Sequence, residues 1–159
     1  MSKQSAVERT ARAAAEFGDA GDAVDDAAAA VFGVNRTDLR LIGALRDGPL
    51  SAGRLAAAVQ LSPAAATTAI QRLVARGHLT REPDPVDRRR AVVALTSQAM
   101  RIIEQVYGPL VEAARVTLAR WSAAELGLIA DFLERGRAMQ LAEAERIRAM
   151  AGGAVSSRR

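Results

Sequence analysis

The run Leu61-Ser62-Pro63-Ala64-Ala65-Ala66-Thr67-Thr68-Ala69-Ile70-Gln71-Arg72-Leu73-Val74-Ala75-Arg76-Gly77 constrains the fold more than any other stretch, because side-chain chemistry sets its start, its inner face and its stop. Ser62 can accept a hydrogen bond from the free N–H groups of a first helical turn. Pro63 falls at the first helical position, where its missing donor costs nothing. Ala66, Ala69, Ile70, Leu73 and Val74 follow the three-and-four spacing of one buried stripe. Gly77 can adopt the left-handed conformation that ends a helix near Arg76. Upstream, Ser51 caps a short helix expected to bury Leu55, Ala58 and Val59, and Gln60-Leu61 is a connector of helix-turn-helix length. Gly77-His78-Leu79-Thr80-Arg81-Glu82 and Ala91-Val92-Val93-Ala94-Leu95-Thr96 each suit a short strand, so a hairpin follows the two helices.

The outward-facing residues of the second helix are Ala64, Ala65, Thr67, Thr68, Gln71 and Arg72, and no acid occurs from Ser62 to Arg81. Such a face, opened by Ser62, suits a DNA major groove. Thr can bond base edges or phosphates, a methyl can touch thymine, Gln can pair with adenine and Arg with guanine. For this helix alone, an ordinary solvated amphipathic helix is the competing reading. The hairpin tip, Pro83-Asp84-Pro85-Val86-Asp87-Arg88-Arg89-Arg90, argues against it. Two prolines restrict the loop, while Arg88, Arg89 and Arg90 offer guanidinium groups to phosphates or a narrow minor groove. Asp87 is expected to clamp a neighbouring guanidinium, Arg89, and hold the loop's shape.

Charge is distributed to match. Residues 54–101 hold eight Arg and three acids, net +5, while the rest of the chain holds 14 basic and 15 acidic side chains. The overall +4 is therefore concentrated on the segment whose outer face suits DNA, as expected of a phosphate-binding footprint. Aromatics make up only 3% of the 159 residues, so packing must rest on Ala, Leu, Val and Ile, which favours closely approaching helices over a large sheet. The absence of cysteine excludes disulfides, thiolate metal ligands and a cysteine redox switch within this chain. His78, the one histidine, is expected to be structural or partly exposed; no metal site and no cofactor are expected. The first residues lack the apolar run of a signal peptide and no stretch reaches membrane-spanning length, so a cytoplasmic protein without membrane association is expected.

The flanks are helical. Residues 4–32 are Ala-rich but interrupted by Gly18-Asp19-Ala20-Gly21-Asp22, leaving one kinked helix or two pieces open. Thr96 or Ser97 can cap a helix to about Arg120, with Ile102, Ile103, Val106, Leu110, Ala113 and Leu118 inside and a bend at Gly108-Pro109. Ser122-Ala123-Ala124-Glu125 matches a capping box, and Leu126, Ile129, Leu133, Met139, Leu141 and Ile147 continue an apolar band to Met150. That band is too long to be covered by a small winged helix. A two-fold dimer of terminal helices would bury it and set two reading helices roughly 34 to 36 Å apart on a palindrome; the alternative is a last helix folded back on its own chain.

Residues 35–98 resemble the MarR family of winged-helix transcription regulators, through Asn35-Arg36-Thr37-Asp38-Leu39-Arg40, Leu61-Ser62-Pro63, Leu73-Val74-Ala75-Arg76-Gly77-His78-Leu79 and, above all, Asp84-Pro85-Val86-Asp87-Arg88-Arg89-Arg90 followed by Leu95-Thr96. The resemblance implies that the family's Asp-x-Arg element falls on Asp87 and Arg89, that a wing arginine enters the minor groove and that the helix from Ser62 enters the major groove. It also implies a homodimer and a small-molecule effector in the cleft between dimer helices and winged helix. The fold expected is mainly α with a small β-hairpin wing (α+β), a winged helix-turn-helix with N- and C-terminal dimerisation helices. Its divisions are 1–34 for N-terminal dimerisation, 35–98 for DNA binding, 99–150 for C-terminal dimerisation and 151–159 for a disordered tail.

The function expected is that of a dimeric, sequence-specific DNA-binding regulator, a ligand-responsive repressor acting on a palindromic operator in double-stranded DNA. A winged-helix protein-interaction module is the alternative from another class, although such a module needs no basic wing. Nonspecific DNA packaging is the third reading, against which the overall charge is modest and confined. An enzyme is not expected, since the chain has no Gly-rich phosphate loop, no thiol and no carboxylate beside its single His in sequence.

Overall fold

A computed structural model describes residues 2–84, 86–87 and 91–156, with side chains described through residue 150. The elements run α1 (Lys3–Phe32), α2 (Arg36–Ala44), α3 (Ala52–Val59), α4 (Pro63–Ala75), β1 (Leu79–Pro83), β2 (Ala91–Leu95), α5 (Ser97–Leu118) and α6 (Ala123–Ser156). This is the mainly helical fold with an antiparallel two-stranded wing that the sequence pattern implies. Two compact units divide the chain, Met1–Pro109 and Leu110–Arg159.

In the first unit, caps define each helix locally. Asn35 Oδ1 accepts from the Asp38 amide, Ser51 Oγ from Arg54 and Ser62 Oγ from Ala65, each opening a helix by satisfying an orphan N–H. α1 ends at Gly33 and α4 is followed by Gly77, both left-handed, where a side chain would add strain. Residues 18–22 leave α1 unbroken, so one continuous helix is the outcome of the two left open. Its buried residues among those described, Ala28, Ala29 and Phe32, all lie near its end.

The core joins those residues to Leu41, Ile42, Leu55, Ile70, Leu73, Leu79 and Val93. Two inner faces differ from the expected ones. In α3 the buried alanine is Ala56 and Ala58 is exposed: α3 packs on both α2 and α4, and its inward side carries Leu55, Ala56 and Val59. In α4 Val74 is 38% exposed, whereas Ala66, Ala69, Ile70 and Leu73 are buried.

The wing also departs from expectation. β1 begins at Leu79 and runs through Pro83, which pairs with Ala91 at the open end, where a missing N–H is tolerated. β2 gains a second neighbour. Leu50 exchanges two backbone hydrogen bonds with Val93, at 2.8 and 3.1 Å, on the side away from β1. Thr96 closes the junction: its hydroxyl donates to the Gly77 carbonyl at 2.7 Å and accepts from the Ala99 amide at 3.1 Å, capping α5.

α5 continues through Pro109. Ile102, Ile103, Val106 and Tyr107 pack against the core, but Leu110, Ala113 and Leu118, expected on the inner side, are exposed. In the second unit Ser122 and Glu125 form the expected reciprocal cap: the Glu125 carboxylate accepts from the Ser122 amide at 2.8 Å while the Ser122 hydroxyl accepts from the Glu125 amide at 3.3 Å. α6 extends past Met150 to Ser156, into the segment where the sequence pattern implies a tail.

Candidate nucleic-acid interface

α4 presents Ser62, Ala64, Ala65, Thr67, Thr68 and Gln71 as exposed residues along its outer side. The two threonines are not free donors. Thr67 Oγ1 donates to the Pro63 carbonyl at 2.8 Å and Thr68 Oγ1 to the Ala64 carbonyl at 3.1 Å. Each therefore offers DNA a methyl group and an acceptor oxygen, which suits thymine methyls and the exocyclic amines of adenine or cytosine.

Arg72, expected on the same face, is engaged from behind. Its Nε donates to Asp38 Oδ2 at 2.9 Å and an Nη to Asp38 Oδ1 at 2.5 Å. This two-pronged bond raises the guanidinium's pKa above its ordinary value, with Asp38's charge adding to it. Asp38 was visible in the sequence only as an acid in the first turn of a helix; its partner lies 34 residues away in sequence.

Three further contacts fix the helix-turn-helix. Arg40 of α2 donates to the Val59 carbonyl at the end of α3 at 3.0 Å. Arg76 donates to the Gly33 carbonyl. His78 is buried, not partly exposed: its Nε2 lies 2.9 Å from the Phe32 carbonyl, and its ring meets the Phe32 ring edge-on with centroids 5.5 Å apart. The carbonyls of Phe32, the last residue of α1, and of Gly33, its cap, thus accept from the segment that leaves α4.

In the wing, Asp84 shapes the start of the loop, its Oδ1 accepting from the amides of Val86 at 2.8 Å and Asp87 at 3.2 Å. Such an Asx turn is favoured by an Asp followed by Pro. Asp87 itself is exposed in the loop, while Arg88, Arg89 and Arg90, and with them the expected bond between Asp87 and Arg89, lie outside the described residues.

Beside this interface is a cleft of about 210 Å³ lined by Asp25, Arg36, Leu39, Arg40, Ile42, Gly43, Arg46, Ile103 and Tyr107. Tyr107 donates to Asp25 at 3.1 Å and the Arg46 guanidinium stands 5.9 Å above its ring. Burial, then the Asp25 charge, pushes the Tyr107 phenol up, partly offset by Arg46 and Arg36. Arg36 bonds Asp22 at 2.5 Å and lies 3.3 Å from Asp26, and these carboxylates hold its pKa above the ordinary value, the Asp22 bond most. Of the other aromatics, Phe32 is core, whereas Phe17 and Trp121 are exposed. Among the described residues no cluster of three His, Asp or Glu could hold a metal, and no helix is long and apolar enough to cross a membrane.

The family model of the MarR family matches residues 32–90, which span α2, the helix pair and most of the wing. Over 123 residues the chain is 32% identical to the HTH-type transcriptional regulator YcgE of Bacillus subtilis, covering 77% of this chain and 80% of that one. The chain belongs to the MarR family. As a MarR-family protein it is a DNA-binding transcriptional regulator and not an enzyme. Solved structures share the fold. Transcriptional regulator Tm0710 from Thermotoga maritima superposes with a TM-score of 0.59 at 22% identity, covering 83% of this MarR-family chain and 94% of its own. MepR of S. aureus bound to ethidium bromide superposes with a TM-score of 0.58 at 16% identity, covering 79% and 91%.

Proposed function

We propose that this chain works as a homodimeric repressor that reads a palindromic operator with α4 and the wing and releases it when a small ligand binds. The observation that carries the reading is the outer face of α4: Ser62, Ala64, Ala65, Thr67, Thr68 and Gln71 are exposed, uncharged and shaped for a major groove. Gln71 is assigned to a base edge, Thr67 and Thr68 to methyl and acceptor contacts, and Ser62 to a phosphate at the helix start. In the wing, Arg88, Arg89 and Arg90 supply phosphate or minor-groove contacts, with Asp87 shaping the loop.

The dimer is supported by apolar surface that the chain leaves open. Leu128 is 73% exposed, Met139 68% and Leu133 51%, and α1 adds Phe17 at 75%. On α6 such a density of open apolar residues marks an association surface, and a second copy is the partner that a palindromic operator requires. Residues 1–34 and 99–150 are accordingly assigned to dimerisation.

The cleft under α2 is the candidate effector site. Its lining offers a small molecule the Tyr107 ring and the guanidinium groups of Arg36, Arg40 and Arg46. MepR, which shares the fold, binds ethidium bromide, a precedent for a ligand-binding relative. The repressing sign rests on the family resemblance.

The test is fluorescence anisotropy on a duplex selected from random sequence and on a scrambled duplex, across a salt series. Operator preference of at least about a thousandfold, a slope near 0.9 per neutralised phosphate and loss of preference in Gln71→Ala are expected. Equal affinity for both duplexes overturns operator reading. A reporter gene under the selected operator then reads the sign: expression falling on addition of the protein supports repression, and expression rising overturns it.

A further inference from the structure

Arg72 occupies the edge of α4 where the sequence places a base-reading arginine, yet its geometry points to another role. The Asp38 side chain is fully buried, and Arg72, 37% exposed on its side chain, closes over it with two hydrogen bonds. Asp38 is itself held at the start of α2, its amide donating to Asn35 Oδ1 at 2.8 Å. From the same turn of α2, Arg40 grips the end of α3 at the Val59 carbonyl. α2 thus holds both helices of the helix-turn-helix, one by a neutral acceptor and one by a carboxylate.

The geometry points to Arg72 as a positioning residue that acts on DNA through Asp38, setting the pitch of α4 in the groove. The inference rests on the reading that α4 enters DNA. Two physical arguments carry it. Withdrawing Arg72 toward a base would strand a buried carboxylate without a counter-charge, among the costliest changes a fold can undergo. The carboxylate also neutralises the guanidinium, so the pair adds no net positive charge for a phosphate to recognise. The Nε edge of the guanidinium fork, one of its two paired-donor edges, is already spent.

A double-mutant cycle with Arg72→Gln and Asp38→Asn separates positioning from contact. Expected is a loss of operator affinity of about tenfold or more in each single variant, with the double variant no worse than the worse single one. The slope of log K against log salt stays within about 0.3 of wild type, because no phosphate contact is removed. Arg72→Lys, which keeps the charge and loses the fork, falls with Arg72→Gln. The inference is overturned if Arg72→Gln lowers the slope by about 0.9, if the two losses multiply, or if Arg72→Lys binds like wild type. Amide exchange without DNA tests the clamp independently of operator reading: residues 66–73 exchange faster in Asp38→Asn and in Arg72→Lys, and unchanged exchange overturns it. Wild-type protein that ignores sequence would sink operator reading, and the clamp would still stand or fall by that exchange.

Discussion

α4 and α6 are both alanine-rich and both opened by a serine cap, yet their environments are opposite. α4 has 13 residues and buries four of them, Ala66, Ala69, Ile70 and Leu73. α6 has 34 residues and buries none of those whose side chains are described. Among the described residues, α6 carries local contacts along its own length: the Ser122–Glu125 cap, an Asp131–Arg135 pair at 2.8 Å and a Glu143–Arg146 pair. Such exposed pairs add little to a helix, because solvent screens them. A short helix can therefore owe its existence to what it packs on, whereas a long one can form from propensity and still present an apolar face for a partner.

The largest test of this contrast is a charge on the open face. Leu133→Asp is expected to turn a dimer into a monomer in analytical ultracentrifugation and to cost about a hundredfold or more in operator affinity, since two half-sites are no longer held together. A persistent dimer would mean that the α6 band does not face a second copy. Next in size is a truncation in α4. Leu73→Ala, at a fully buried position, should cost about 2–5 kcal/mol in denaturant unfolding. The same truncation at Leu128, measured at dissociating protein concentration, should stay within about 0.5 kcal/mol.

The caps give a smaller and more discriminating comparison. Ser62→Ala should destabilise the first unit by about 1 kcal/mol. At the start of α6, the Ser122 hydroxyl and then its amide hold the Glu125 carboxyl below its ordinary value of 4.5. A lowered value means that the cap contributes above pH 4.5 and is lost as pH falls through the folded value. The protection factor of the Leu126 amide, its exchange rate relative to the intrinsic rate at each pH, should therefore fall in acid in the wild type and stay constant with pH in Glu125→Gln.

The smallest expected effect lies at Tyr107. Its phenol is raised above 10.0 chiefly by burial, so the folded state favours the neutral form. The contribution is complete below pH 10.0 and declines as pH rises toward the folded value. Thermal melts of wild type should fall more steeply above pH 10 than those of Tyr107→Phe, and parallel curves would remove Tyr107 from the cleft's electrostatics.

Much of the reading segment was legible because its signals are short-ranged. Ser62-Pro63 start α4 and Gly77 ends it through chemistry confined to one turn, and outside that segment Ser122 pairs with Glu125 in the same way. Faces were less legible than ends. Ala56 and Ala58 are equally apolar, and only the direction of the neighbouring helices selects Ala56 for burial. The wing was read as a hairpin, but Leu50 as a partner for β2 carries no local mark, since a single bridging residue has no periodicity.

The chain's order of helices, its caps, its basic wing and its membership of a DNA-reading family were determined by sequence alone, because each depends on residues within a few positions of one another. Tertiary structure decided which partners meet across long separations. It placed Asp38 beneath Arg72, the Phe32 carbonyl against His78 and Asp25 against the Tyr107 hydroxyl. Residue types announce that a carboxylate or a buried imidazole needs a partner. Which group satisfies it is settled only when the core closes and water is no longer available to do so.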